Sequence, residues 1–200
     1  VALSHFWLGE LAYRKGDAQE ALAQFESFLK TPGSYTLTER PTALYNKAYC
    51  LYKLDRLEDA SSAFRVYLQD AKKGDRKVAD ATLRLADLYF LQGKHALAEE
   101  YYRKARDIEA NARYGGYAMY QQALCQGLLN NNTSKITLLQ TLARHDDSQD
   151  AYGGKYSEEA QFELAQTYLR QGANTDAEAS FKEYIRRVPN SEKARRASLN

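Results

Sequence analysis

The chain has 200 residues, of which 44% are hydrophobic and 27% charged, so it is long enough for one compact domain or one repeat array and too apolar for a disordered chain. Its 28 basic and 26 acidic residues leave a formal net charge of +2, which argues against a nucleic-acid-binding surface. No segment contains the roughly 20 consecutive apolar residues that a membrane-spanning helix needs.

The N-terminal segment predicts two helices joined by a short turn. Apolar residues at helical spacing lie on both sides of Gly16. Ala21 follows Gly16 by five residues, and Phe25 follows Ala21 by four. Glycine adopts the left-handed conformation that ends many helices, and Asp17 is a candidate N-cap for the second helix. The segment is therefore predicted to be a helix–turn–helix unit.

The same spacing recurs along the chain and predicts a repeat array. A small residue lets the paired helices approach closely, and the aromatic residue one turn later fills the space beside it. Three further sets match: Asp55, Ala60 and Phe64; Gly93, Ala98 and Tyr102; and Gly172, Ala177 and Phe181. After the last turn, Asn174-Thr175 is a second candidate N-cap. A self-similar period of this length is typical of a solenoid.

A degenerate repeat fills the longer interval before the last set. Residues 117–142 supply two helical segments around the sequence NNNTS, but the small residue is lost near Lys135 or Ile136. The predicted array covers residues 1–200 as five repeats. Their approximate bounds are 2–35, 40–74, 78–112, 115–150 and 156–190, and residues 191–200 are expected to begin a further or capping helix. The chain is then a segment of a longer array or its terminal part.

These motifs resemble those of the tetratricopeptide repeat (TPR) family. Leu8-Gly9 stands at the Leu-Gly pair of the family pattern, Tyr89 and Tyr168 at its first-helix tyrosine, and Pro189 where a repeat closes. The tryptophan of the pattern is missing, and alanine replaces its glycine in repeats two to five. The resemblance implies an all-α fold, a right-handed α-α superhelix of about five helix–turn–helix repeats.

The repeat period exceeds the standard 34 residues of the family. In this respect the chain is similar to bacterial envelope TPR proteins, such as the outer-membrane barrel-assembly lipoprotein and the Tol–Pal system coordinator. That similarity implies the bacterial periplasm or envelope as the first expected location, with a role in envelope assembly, and the cytoplasm as the second.

No metal or cofactor site is predicted. The three histidines, His5, His95 and His145, fall in different repeats, and neither H-x3-H nor C-x2-C spacing occurs. The acidic group that follows His145 lacks the residue order of a calcium loop and is expected to be a solvated loop.

No catalytic group is predicted either. Cys50 and Cys125 occupy equivalent first-helix positions and are expected to be small buried residues. The pairs Gly115-Gly116 and Gly153-Gly154 lack the Lys-Ser/Thr of a phosphate-binding loop. Because no nucleophile, base and orienting group come together, we expect the protein not to be an enzyme.

The first helices of a TPR array line its concave face, so the resemblance assigns a candidate ligand groove to their outward positions. In repeat 4 we assign these to Tyr117, Tyr120 and Leu124. The candidate groove residues are Phe6, Tyr13, Tyr45, Tyr49, Tyr52, Phe90, Tyr117 and Tyr120. Tyrosine combines a rigid apolar ring with a polar tip, which suits peptide anchoring.

Three functional interpretations stay open. The first is an adaptor that binds a protein or peptide partner through this groove. The second is a structural spacer or self-assembly element whose tyrosines belong to the core and whose ends stack on further repeats. The third is a non-catalytic array attached to an enzyme outside this chain. Binding of a C-terminal carboxylate by the Lys/Asn clamp of chaperone-binding relatives is not expected, because the matching positions carry aromatic and acidic residues.

Overall fold

The computed structural model describes residues 1–72, 74–108, 115–144 and 155–197, which form eleven α-helices and one short 3-10 helix, without a strand. The helices are α1 (Ala2–Lys15), α2 (Ala18–Lys30), α3 (Arg40–Lys53), α4 (Leu57–Asp70), α5 (Lys77–Leu91), α6 (His95–Asp107), α7 (Gly115–Leu128), α8 (Asn132–Ala143), α9 (Lys155–Arg170), α10 (Asn174–Arg187) and α11 (Glu192–Ala197). The predicted all-α fold is confirmed. None of the described helices has the length and apolar character to cross a bilayer.

The helices form five consecutive pairs, which we number as repeats 1 to 5, followed by α11. Each pair consists of a first helix (α1, α3, α5, α7 or α9) and a second helix (α2, α4, α6, α8 or α10). The chain divides into two compact units, Val1–Tyr101 and Tyr102–Asn200, with the boundary inside α6.

A common backbone turn joins the two helices of every repeat. The turn residue has a positive φ in all five repeats, at Gly16, Asp55, Gly93, Asn130 and Gly172. Its N–H donates to the carbonyl three residues earlier, and the next N–H donates to the carbonyl five residues before it, as in the bonds from Gly16 to Tyr13 (3.1 Å) and from Asp17 to Ala12 (3.0 Å). This is the Schellman motif. Repeat 4 keeps it at Asn130 and Asn131, which confirms that the degenerate segment is a repeat.

The predicted small and aromatic positions are buried or half-buried. The alanines at the fixed position (Ala21, Ala60, Ala98 and Ala177) are all buried. The aromatic residues Phe25, Phe64 and Tyr102 are buried as well, while Phe181 is half-buried. On α1, a Cβ added at Gly9 would lie 2.8 Å from the Phe25 ring. In repeat 1 the two helices therefore approach as closely as the sequence pattern indicates.

In repeat 4, different residues occupy the small and aromatic positions between the two helices. Lys135 occupies the small-residue position and Leu139 the aromatic position, and both are buried. The space for the lysine stem comes from Gly127 on α7, where an added Cβ would lie 2.9 Å from Lys135 Cδ. The Lys135 ammonium forms an ion pair with Glu163 of α9 at 2.6 Å. The small residue has moved from the second helix to the first.

One of the two predicted N-caps is confirmed and the other is wrong. Asp17 accepts a hydrogen bond from the Glu20 N–H at 3.0 Å, as a capping side chain does. In repeat 5 the residue after the turn is Ala173, which is the N-cap and has no capping side chain. Asn174 and Thr175 are not at the N-cap position, because α10 begins at Asn174.

We expect the Gly93→Ala variant to lose about 1 kcal/mol of unfolding free energy, because an L-residue is strained at positive φ. Gly93 has a φ of 71° and no atom within 4 Å of an added Cβ, so the backbone alone is tested. Gly115→Ala is the matched control, since its Cβ also meets open space but its φ is not positive. Alanine is the better helix former there, so no loss is expected in urea unfolding. Equal losses for both variants would contradict the turn assignment.

Candidate functional site

Side chains connect the first helices of the N-terminal unit along one side. Between α1 and α3, Asn46 Nδ2 donates to Glu10 Oε1, and the Lys53 ammonium lies 4.7 Å from the centre of the Tyr13 ring. Between α3 and α5, Lys77 Nζ donates to Thr42 Oγ1 at 2.8 Å. We call this side the first-helix face; it comprises Glu10, Tyr13, Tyr45, Asn46, Tyr49, Tyr52, Lys53, Asp80, Arg84, Asp87 and Phe90.

Two predicted groove tyrosines meet on one carboxylate at the centre of this face. The Tyr45 hydroxyl donates to Asp80 Oδ2 at 2.7 Å, and the Tyr49 hydroxyl donates to the same oxygen. Their rings lie 4.9 Å apart and pack on Phe64 at 6.1 and 5.3 Å. Arg84 Nε lies 3.5 Å from the other carboxylate oxygen of Asp80. The tyrosines thus link α3 to α5 and keep only part of their surface exposed.

The electrostatics of this cluster keep both phenols neutral. Burial raises the pKa of Tyr45 and of Tyr49 well above the ordinary value of 10.0, and the hydrogen bond to Asp80 raises each pKa further. Because a neutral phenol is a hydrogen-bond donor, both hydroxyl groups stay committed to the carboxylate at neutral pH.

Tyr13, Tyr52 and Phe90 form a second row on the first-helix face, which we call the outer row. Each lies three residues before the turn of its repeat. Tyr52 is 37% exposed, and the rings of Tyr13 and Phe90 are half-buried. This row therefore offers aromatic surface outside the Tyr45–Tyr49–Asp80 cluster.

Phe6, which we predicted to line the groove, lies in the core instead. It is only 4% exposed, and its ring packs 5.6 Å from Phe28 and 6.2 Å from Phe25 of α2. It stands ten residues before the turn, and at this position its side chain points toward the paired second helix. At the equivalent position of repeat 2, Tyr45 is longer, so that its hydroxyl reaches Asp80 from the edge of the core.

The assignment in repeat 4 was shifted by one helical turn. Because the turn residue is Asn130, the positions equivalent to Tyr45, Tyr49 and Tyr52 are Tyr120, Leu124 and Gly127. Tyr117 lies one helical turn before them. In the C-terminal unit, Tyr117 and Tyr120 both pack against Tyr156 of α9, at 5.5 and 5.9 Å between ring centres.

Sequence reasoning missed Asp80 and Asn46. Asp80 lies 35 residues after Tyr45, a separation close to one repeat, and begins the stripe that Arg84 and Asp87 continue. The sequence signal for this contact is thus a carboxylate that follows a tyrosine by about one repeat period. Asn46 lies between two of the predicted tyrosines, on the side of α3 toward α1.

Among the described residues, no group of three or more His, Cys, Asp or Glu side chains could hold a metal ion. Cys50 and Cys125 are buried, as predicted. Burial raises the pKa of Cys50 to about 11, which keeps it protonated and poorly nucleophilic. The acidic group after His145 and the pair Gly153-Gly154 lie outside the described residues.

The chain is similar to known repeat proteins in sequence and in structure. A family model described as tetratricopeptide repeat matches residues 8–76, 67–114 and 136–192. No curated protein sequence matches the chain.

Three solved structures illustrate the structural similarity. YrrB, described as a TPR protein with an unusual peptide-binding site, has a TM-score of 0.73 and 16% identity, with 100% of this chain and 93% of that chain covered. MamA from Desulfovibrio magneticus RS-1 has a TM-score of 0.67 and 16% identity, with 95% and 97% covered. BtubC from P. vanneervenii has a TM-score of 0.64 and 18% identity, with 90% and 76% covered. At these identities the likeness establishes the solenoid fold.

The raised phenol pKa values predict a stability loss in alkali. The unfolded chain releases the protons of Tyr45 and Tyr49 near pH 10.0, whereas the folded chain keeps them. Their stabilising effect is therefore complete below that pH and is lost as the pH rises above it, by at most about 1.4 kcal/mol per pH unit for each phenol. Urea unfolding of a Tyr45→Phe/Tyr49→Phe variant should show a shallower loss than the wild type. Tyr35→Phe, at an exposed position, should leave the dependence of the unfolding free energy on pH as it is in the wild type. An identical pH dependence in all three proteins would contradict the hydrogen-bonded cluster of Tyr45, Tyr49 and Asp80.

Proposed function

Because the chain belongs to the tetratricopeptide repeat family, we propose that it is a non-catalytic protein–protein interaction scaffold that holds a partner peptide on its first-helix face. The family match supports a protein or peptide as the class of ligand. The first-helix face of the N-terminal unit supports the location, since it combines aromatic rings, hydrogen-bonding groups and helices that are fixed relative to one another.

The outer row is the observation that carries this proposal. Tyr13, Tyr52 and Phe90 stand at the same position of three successive repeats, so their spacing follows the spacing of α1, α3 and α5. A peptide that crosses these helices would meet one aromatic ring at each of them. Tyrosine and phenylalanine give a large contact area at a low cost in side-chain entropy.

The Tyr45–Tyr49–Asp80 cluster supports the outer row by fixing the helices beneath it. Hydrogen bonds from two tyrosines of α3 to one aspartate of α5 hold these helices together. A surface that is ordered before binding loses less conformational entropy when a ligand arrives. The tyrosines of the cluster are thus positioning residues, and the outer row makes the contact.

The charges of the face indicate the kind of peptide that fits. Arg84 is bonded to Asp87 at 2.7 Å, and the Lys53 ammonium lies over the Tyr13 ring. Since acidic and basic groups alternate, the face has no strong charge of one sign. We therefore propose a partner segment with apolar or aromatic side chains, and binding that depends only weakly on salt.

A peptide-display selection tests the proposal. The proteins are the wild type, a Tyr13→Ala/Tyr52→Ala variant and a Tyr35→Ala control, whose substituted ring is 74% exposed on the short 3-10 helix before α3. We expect the wild type and the control to enrich the same peptides, and the double variant to bind them at least about tenfold more weakly. Circular dichroism verifies that all three are folded.

Enrichment that does not change in the double variant would contradict binding through the outer row. A wild type that enriches no peptide would favour the spacer interpretation instead. The Tyr45→Phe/Tyr49→Phe variant adds a further comparison, because it keeps both rings and removes only the hydroxyl groups that join α3 to α5.

The cellular process that we propose is bacterial envelope assembly, and the repeat period, which is longer than the standard 34 residues, supports it. Fractionation of cells that express the protein from its own gene tests this setting. A purely cytoplasmic signal would contradict it without affecting the proposed binding face.

A further inference from the structure

A groove opens between the second helices α2 and α4, with α3 at its base. It has a volume of about 280 Å³. Its floor is apolar, and its rim carries charged side chains. We call it the α2–α4 groove; its lining includes Glu26, Leu44, Lys47, Leu51, Ala63 and Val66.

The α2–α4 groove lies on the opposite side of α3 from the first-helix face. Lys47 and Leu51 line the groove, whereas Tyr49 belongs to the first-helix face. Each of the two groove residues is two positions away from Tyr49 in the sequence, which corresponds to about 200° around an α-helix. The groove is therefore a separate surface from the one that we propose to hold a peptide.

In repeat 3, tyrosine rings fill the equivalent place. Tyr89 stands four residues before its turn, which is the position of Leu51 in repeat 2. Its ring packs 5.4 Å from the ring of Tyr101 on α6. Tyr101 stands eight residues after the turn, which is the position of Ala63. Two aromatic rings of repeat 3 thus correspond to a leucine and an alanine of repeat 2.

Repeat 5 also has a tyrosine at this position, and its hydroxyl reaches the preceding second helix. Tyr168 stands four residues before its turn, and Gln140 Nε2 of α8 donates to its hydroxyl at 2.8 Å. Gln140 stands ten residues after the turn of repeat 4, as Glu26 does after the turn of repeat 1. In repeat 2, Leu51 has no hydroxyl group, and Glu26 pairs with Lys47 at 3.1 Å.

We propose that the α2–α4 groove binds a tyrosine side chain of a partner protein, in the place that Tyr89 and Tyr168 occupy in their own repeats. The inserted ring packs on Leu51 and Ala63, as the ring of Tyr89 packs within repeat 3. Its hydroxyl donates to the carboxylate of Glu26, since a neutral phenol can donate as well as accept a hydrogen bond.

The size of the groove favours one side chain of a protein over a free small molecule. Small-molecule sites usually enclose roughly 300–1,000 Å³ and bury most of the ligand. The α2–α4 groove has only about 280 Å³, and Val66 at its edge is 44% exposed. Aromatic side chains that anchor one protein on another typically fill small pockets of this kind. Together with the first-helix face, the groove would let the chain connect two partner segments.

NMR signals of the methyl groups of Leu44 and Val66 test the proposal, with a capped glycyl-tyrosyl-glycine tripeptide as the probe. The wild type should show saturable shifts with a dissociation constant on the order of 1 mM, because only one ring is buried. Leu51→Tyr supplies the ring that repeats 3 and 5 carry and should bind at least about tenfold more weakly. Leu91→Tyr, the same replacement at a 58% exposed position outside the groove, should bind as the wild type does.

Ala63→Leu is a second variant that fills the groove, from the side of α4. Repeat 4 already carries a leucine, Leu138, at this position. The variant should also bind the tyrosine tripeptide at least about tenfold more weakly than the wild type. Because the added atoms of Ala63→Leu and Leu51→Tyr occupy an open groove, both variants should melt no lower than the wild type.

The hydroxyl contact is tested with the phenylalanine form of the tripeptide. The wild type should bind it at least about threefold more weakly than the tyrosine form, because the hydrogen bond to Glu26 is lost. Glu26→Leu should bind both forms equally, whereas Glu26→Gln should keep a preference for tyrosine, as Gln140 bonds a phenol in repeat 5. Tyr13→Ala/Tyr52→Ala should bind the tyrosine tripeptide like the wild type, so failure of the proposed first-helix site leaves this result intact.

Four outcomes would overturn the proposal. The first is the absence of saturable shifts at Leu44 and Val66 in the wild type. The second is equal binding of the tyrosine tripeptide to the wild type and to a folded Leu51→Tyr or Ala63→Leu variant, and the third is equal binding of both tripeptides to the wild type. The fourth is a dimer in sedimentation velocity that Leu51→Tyr dissociates, which would assign the groove to a second copy of the chain.

Discussion

The close approach of the two helices in each repeat is the constraint on which this structure depends. An added Cβ at Gly9 would lie 2.8 Å from the Phe25 ring, so the helices of repeat 1 leave no space for a larger residue. Repeat 4 shows that the constraint concerns total volume rather than one position. Lys135 stands where alanine is expected, and Gly127 on the opposite helix makes the space for its stem. The buried ammonium is then neutralised by Glu163, as a buried charge requires.

This packing solution has a consequence for the surface. Gly127 stands three residues before the turn of its repeat, which is the position of Tyr13, Tyr52 and Phe90 in repeats 1 to 3. Because glycine at position 127 makes space for Lys135, the first helix of repeat 4 has no aromatic ring at this position. The outer row is consequently a property of the N-terminal unit, whereas the tyrosines of the C-terminal unit cluster around Tyr156.

The sequence predicted what local geometry determines, and it failed where a residue depends on a neighbouring repeat. The turn at Gly16 and the buried Ala21 follow from backbone conformation and volume, so their spacing identified four of the five repeats. The role of Asp80 depends on how far α5 lies from α3, which no pattern within one repeat contains. Phe6 was misassigned because the groove pattern does not say whether a ring is long enough to leave the core. The groove positions of repeat 4 were placed one helical turn too early, because Tyr117 was aligned with Tyr45, whereas the turn at Asn130 aligns Tyr120 with it.

Equivalent positions of different repeats can be compared directly, because they have the same place on their helices and differ in what packs beside them. Cys50, Leu88 and Cys125 are buried beside the second helix of the preceding repeat, whereas Leu11, at the equivalent place on α1, is 50% exposed. Burial at this position is therefore determined by the neighbouring repeat and not by the helix pair to which the residue belongs.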